Sequence, residues 1–132
     1  MIEFLLNEPK CKAVGEVGLD YLHAKCPADR EAQKHALEYG GRTLAVRCKA
    51  LGRPNDFPWV VHCRGVNAED DTASEDCLEV LSGLVAQGHL DPQTAVYRHC
   101  FVGNLKEAKR WREVFPNTYF GLGPKIFSAG AE

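Results

Sequence analysis

The sequence predicts an α/β fold, a partial TIM (β/α)8 barrel with about four parallel strands and intervening helices. Three observations predict it. Short apolar runs alternate with longer amphipathic segments in the order β-α-β-α-β-α-β, the pattern of parallel strands joined by right-handed crossovers. The second apolar run, Phe57-Pro58-Trp59-Val60-Val61-His62-Cys63, is continuous, as in a strand covered on both faces. The first three strands each end in a metal-capable side chain followed by a glycine turn: Glu16 before Gly18, His62 before Gly65, His99 before Gly103. That edge is where parallel α/β folds bind ligands.

The elements follow in order. Lys12-Ala13-Val14-Gly15-Glu16-Val17 reads as a strand ending at Gly18, and a loop runs through Cys26-Pro27. A long helix is expected from about Asp29 to Leu51, with Leu37, Leu44, Cys48 and Leu51 on one face and Gly52 and Pro54 just beyond. Gly40-Gly41 weakens its middle, at about 1 kcal/mol per glycine relative to alanine. After the Phe57–Cys63 strand, Thr72-Ala73-Ser74-Glu75 reads as a capping box. It opens a helix with Cys77, Leu78, Leu81, Leu84 and Val85 inward, which Gly88 ends. Thr94–Cys100 is the third strand. Asn104 caps a third helix carrying Leu105, Ala108, Trp111 and Phe115, Pro116 stops it, and Asn117–Gly121 is the fourth strand. Four strands do not close a barrel, for which eight are needed, so unpaired edges and self-association are expected.

Composition bounds the function classes. The 132 residues, 45% hydrophobic and 26% charged, fit one partial domain over 1–132. A formal net charge of −2 excludes a globally basic nucleic-acid binder but leaves room for a local basic patch. No apolar run approaches the ~20 residues of a membrane helix, and the first nine residues are too acidic for a signal peptide. The expected location is intracellular, cytoplasmic or nuclear. The six cysteines form no CxxC pair and read as reduced thiols.

Strand alternation gathers the polar groups. Val60, His62 and Arg64 share a face, as do Tyr97, His99 and Phe101, and Val14 with Glu16. One register then aims Glu16, His62 and His99 at a common point. Two imidazoles and a carboxylate suit a divalent metal of the zinc or manganese kind. Cys63 and Cys100 each follow one of these histidines, and alternation turns them toward the helix layer as core residues. His23 reads as a solvated loop residue, His35 and His89 as surface residues, and Lys106, Lys109, Arg110 and Arg112 as a solvated basic helix face.

Gly15-Glu16-Val17-Gly18-Leu19-Asp20-Tyr21 resembles the signature segment of TatD-type metal-dependent hydrolases. Val61-His62-Cys63-Arg64 resembles that family's second block and His99-Cys100-Phe101-Val102-Gly103 its third, with Gln33 at a common family position. The resemblance implies a metal-dependent phosphodiesterase, a deoxyribonuclease acting on DNA or RNA with two divalent ions (magnesium, manganese or zinc). Glu16 would bridge the ions, and His62 and His99 would hold the second. Arg64 would grip a phosphate oxygen, and Asp20 would ligate through water or orient the turn after the first strand.

Departures from that pattern temper it. Family members open with a His-x-His strand and carry a late strand-end Asp, and neither occurs here. The sequence thus reads as a central portion, a fragment with little activity alone. Two alternatives stay open: hydrolysis of another ester in the same barrel, such as an aminoacyl-tRNA, and a non-catalytic interaction fragment.

Overall fold

The computed structural model describes residues 6–123. From residue 14 onward, strands and helices alternate: β1 (Val14–Asp20), α1 (Pro27–Ala50), β2 (Trp59–Arg64), α2 (Thr72–Ala86), β3 (Val96–Arg98), α3 (Leu105–Val114) and β4 (Thr118–Phe120). The strands lie in the order β1-β2-β3-β4 and every pairing is parallel. Each helix is therefore a crossover between strands adjacent in sequence and in space, and the three β/α units with the fourth strand follow the order of a partial barrel.

The helices cover one side of the sheet. Leu19, Val61 and Val96 from the strands pack there with Leu37, Leu44, Leu81, Leu84 and Trp111 from the helices. Gly41 is buried in this layer because α1 runs close to its neighbours. A Cβ at that position would lie 2.4 Å from Leu84 Cδ1 and 3.2 Å from Trp59 Cη2. The glycine that weakens the isolated helix is thus what lets it dock.

Several boundaries differ from the sequence reading. β1 does not stop at Gly18 but continues through fully buried Leu19 to Asp20. Gly18 is a point of close approach, since a Cβ there would lie 1.8 Å from the His62 carbonyl oxygen. A register shift between Val14 and Val17 also breaks simple alternation in β1. Val14 and Val17 both pack against the core, so Val14 and Glu16 do not share a face. Such bulges re-aim side chains, and this one leaves Glu16 exposed on the other side.

α1 begins at Pro27, earlier than expected. Asp29 sits in its first turn and reaches back, its carboxylate accepting from the Lys25 and Cys26 amides at 2.7 and 3.2 Å. The capping box expected at Thr72 does not form. Asp71 precedes α2, and the Thr72 hydroxyl donates to Asp70 Oδ1 at 2.6 Å. The Asn104 cap is observed, its Oδ1 accepting from the Glu107 amide at 3.0 Å.

Candidate active site at the strand ends

The C-terminal ends of β1 and β2 and the turn after β3 bring Glu16, Asp20, His62, Arg64 and His99 together. Parallel register sets the first four, with Gly18 opposite His62 and Asp20 opposite Arg64. β3 ends at Arg98, one residue short of His99, but the His99 amide still donates to the Val61 carbonyl at 3.0 Å. That bond holds His99 beside His62. Glu16 lies between the two rings: Oε1 is 3.0 Å from His62 Nδ1, and Oε2 is 3.9 Å from His99 Nε2. The ring centroids are 6.5 Å apart. His62 Nδ1 is buried and makes no hydrogen bond, despite the nearby carboxylate. Among the described residues, no three His, Cys, Asp or Glu side chains are arranged to hold one ion.

Asp20 and Arg64 serve each other. The Arg64 Nε donates to Asp20 Oδ1 at 3.0 Å and its terminal nitrogen to Oδ2. This fork holds the Asp20 carboxyl below its usual range, against the opposing effect of burial. Arg64 is thus already bound to a carboxylate. Its expected grip on a phosphate requires that fork to open or to be shared. Asp20 Oδ2 also lies 3.9 Å from His62 Nε2 and 3.8 Å from His23 Nε2. The loop histidine His23, largely exposed, is therefore within reach of the cluster.

Gln33 fixes the end of β1. Its Oε1 accepts from the Asp20 amide at 2.7 Å, and its Nε2 donates to the Asp20 carbonyl at 3.0 Å. The side-chain amide thus occupies the place of a neighbouring strand. Next along the chain, the buried Tyr21 hydroxyl donates to Asp76 Oδ2 at 2.5 Å, and burial and that carboxylate push its pKa up. These bonds tie the end of β1 to α1 and α2. A groove of about 780 Å³ runs along β1, lined by Glu16, Gly18, Asp20, Gln33 and His62 and floored by Leu37 and Trp59.

Other residues fall differently from expectation. Cys63 does face the helix layer and packs against the core, but Cys100 is exposed and corrects that reading. Its Sγ lies 3.3 Å from His99 Nε2, because the chain turns at Cys100 with φ at 48°. Arg110, read as part of a solvated basic face, pairs with Glu75 at 3.0 Å. Sequence reasoning missed a buried network behind the sheet. Arg98 bonds Glu107 at 3.2 Å and the Ser74 hydroxyl at 3.0 Å, and the Trp111 indole donates to the same hydroxyl at 2.9 Å. Its one signal was an arginine alternating with Tyr97 and His99, which turns it to the helix side.

Parallel strands joined by helical crossovers define an α/β fold, and Glu16, His62 and His99 gather toward one edge of its sheet. The comparisons name the family within that class. The TatD related DNase family model matches residues 1–132, and the chain belongs to that family. It is 34% identical over 117 residues to the 3'-5' RNA nuclease TATDN2 of Homo sapiens, a match covering 89% of this chain and 13% of that protein. It also overlays the crystal structure of an uncharacterized amidohydrolase from Saccharomyces cerevisiae with a TM-score of 0.59 at 20% identity, covering 84% of this chain and 33% of that one. The second likeness is one of fold. No described helix is long and apolar enough to cross a membrane.

Proposed function

We propose that the chain carries part of the site of a metal-dependent phosphodiesterase acting on nucleic acid, with Glu16, His62 and His99 as ligands of a divalent ion. The observation that carries this reading is the approach of these three side chains from β1, β2 and the turn after β3. Cis donors about 2.1 Å from one ion lie about 3.0 Å apart, and Glu16 Oε1 and His62 Nδ1 are separated by 3.0 Å. An ion there would take up the lone pair of the orphaned Nδ1. His99, at 3.9 Å from the second Glu16 oxygen, joins by rotation of the exposed Glu16 side chain. When bound, the ion would supply a water activated for attack and a counter-charge for the phosphate. Asp20 orients Arg64 and is itself held by Gln33. Arg64 would turn from Asp20 to a phosphate oxygen as the substrate arrives.

Family membership and the human relative, named a 3'-5' RNA nuclease, support the class of substrate. DNA and RNA are both candidates. Two-metal catalysis needs ions about 3.5–4 Å apart, and the sequence has no His-x-His pair for the first of them. A site that holds the Glu16–His62–His99 ion alone is expected to turn over slowly.

The test is a nuclease assay on single-stranded DNA and RNA with manganese or magnesium, using His99→Ala as the contamination control. Slow cleavage that a chelator abolishes and His99→Ala lacks supports the reading. Cleavage equal in wild type and His99→Ala on both substrates contradicts it. Fast cleavage lost in the variant would show that one ion suffices.

A further inference from the structure

Tyr97 stands on the side of the sheet away from the helices. Its neighbours along β3, Val96 and Arg98, are buried toward the helix layer, so alternation turns Tyr97 the other way, where it stays 40% exposed. Its register partner on β4 is Tyr119. Its hydroxyl nevertheless reaches Gly121, two residues further along that strand's course, where a Cβ would lie 1.9 Å from the phenol oxygen. The ring therefore leans along β3 toward the C-terminal edge of the sheet, and it has room there because Gly121 has no side chain. That lean carries the ring to the candidate site. Its centroid is 6.4 Å from the His99 ring, which in turn is 6.5 Å from the His62 ring. A partly exposed aromatic face thus borders the two imidazoles, in a position that the contacts of the core do not require.

We propose that Tyr97 is a base-contacting residue of this site, its ring stacking on the base of the nucleotide next to the phosphate that reacts. This rests on the reading given under Proposed function, which supplies contacts to the phosphate alone. Arg64 and the strand-end cluster grip a group that every nucleotide shares, and such contacts fix position without touching a base. Tyr97 adds the missing kind of contact. A tyrosine ring offers a flat, neutral face on which a splayed-out base can stack, and every base has a π face to match it. The neighbouring Tyr119, 63% exposed and directly across on β4, widens the same surface. Tyr97 is the ring beside the histidines, so it meets the base nearest the cleaved bond. Because stacking reads the ring and not its edge, the hydroxyl is dispensable and the aromatic face is not.

The test is fluorescence anisotropy in the cold on the 132-residue chain, with manganese and again with EDTA. The probes are a short labelled single-stranded DNA and the same strand with abasic sugars in place of its bases. Wild type is expected to bind the intact strand about tenfold more tightly than the abasic one, the order expected of a stacked base. Tyr97→Phe should keep that ratio, and Tyr97→Ala should reduce it to about twofold while binding the abasic strand as wild type does. Far-ultraviolet circular dichroism shows that both variants are folded. A wild-type ratio near one, a ratio unchanged in Tyr97→Ala, or a ratio lost in Tyr97→Phe would overturn the stacking role. The metal reading is scored separately, by tighter binding of both strands in manganese than in EDTA. Neither strand bound by the folded wild-type chain in either condition would overturn both.

Discussion

The protein contains two arginine–carboxylate pairs that differ in where they stand relative to the sheet. Arg98 and Glu107 lie behind it, with side chains 3% and 8% exposed. Arg64 and Asp20 lie at the strand ends, 39% and 26% exposed. The buried pair is wrapped by Ser74 and Trp111, with the Arg98 guanidinium stacked 4.4 Å over the Trp111 ring. In the outer pair Asp20 lines a groove, and its Oδ2 lies 3.8 Å from His23 Nε2 and 3.9 Å from His62 Nε2. The same chemistry thus stands in two settings: behind the sheet it ties α2, β3 and α3 together, and in front it holds two charges beside the candidate site. Burial decides which, because a buried charge cannot lose its partner cheaply and a half-exposed one can.

The largest effect should come from breaking the buried pair. Glu107→Ala leaves Arg98 buried without its carboxylate and is expected to cost about 3–5 kcal/mol, read as a lower denaturant midpoint. Replacing both members by apolar residues, Arg98→Met with Glu107→Leu, should restore most of that loss. If the single substitution costs as little as a surface change, the contrast between the two pairs collapses.

Gly18→Ala comes next. Its methyl group would meet the His62 carbonyl and push β1 from β2, at about 1–3 kcal/mol, the usual cost of overpacking. Unlike Glu107→Ala it should also separate Glu16 from His62, so metal affinity should fall more than stability does. Equal metal binding in Gly18→Ala and wild type would contradict that link.

Arg64→Ala is expected to cost no more than about 1 kcal/mol, as for other partly exposed pairs. Its clearer readout is Asp20. The Arg64 fork lowers the Asp20 pKa, so the pair's contribution is fully present above the ordinary carboxylate range. It is lost as pH falls through the depressed folded value. Without Arg64, Asp20 should titrate higher, nearer an ordinary carboxylate, in a carbon-13 carboxyl titration. An unmoved titration would show that Arg64 is not what holds the proton off. Smallest of all, Arg110→Ala removes an exposed pair with Glu75 and should change stability by less than about 0.5 kcal/mol.

Much of the fold was legible in the sequence because β/α alternation is a local signal. The continuous apolar run of β2, the Asn104 cap and the glycines after the helices each mark an element without reference to the rest. Glu16, His62 and His99 stood out as metal-capable residues in or just after three successive apolar runs, although Glu16 lies within β1 and His99 in the turn after β3. What escaped depends on neighbours distant in sequence. The bulge that aims Glu16 and the close approach at Gly18 are set by β2, so β1 seemed to end two residues early. Gln33 was visible only as a family position, and its bonds to the Asp20 backbone require knowing where α1 docks. Cys100 escapes strand alternation because β3 ends at Arg98 and the chain turns there. The Arg98–Glu107 pair joins residues nine apart across a turn, and neither residue alone predicts burial.

The most direct test of the site is manganese binding followed by electron paramagnetic resonance, on wild type, Glu16→Gln and His62→Ala. The account predicts one bound ion per wild-type chain and at least tenfold weaker binding in each variant, with far-ultraviolet circular dichroism unchanged. Undiminished binding in both variants, or no binding by the folded wild-type chain, would contradict it.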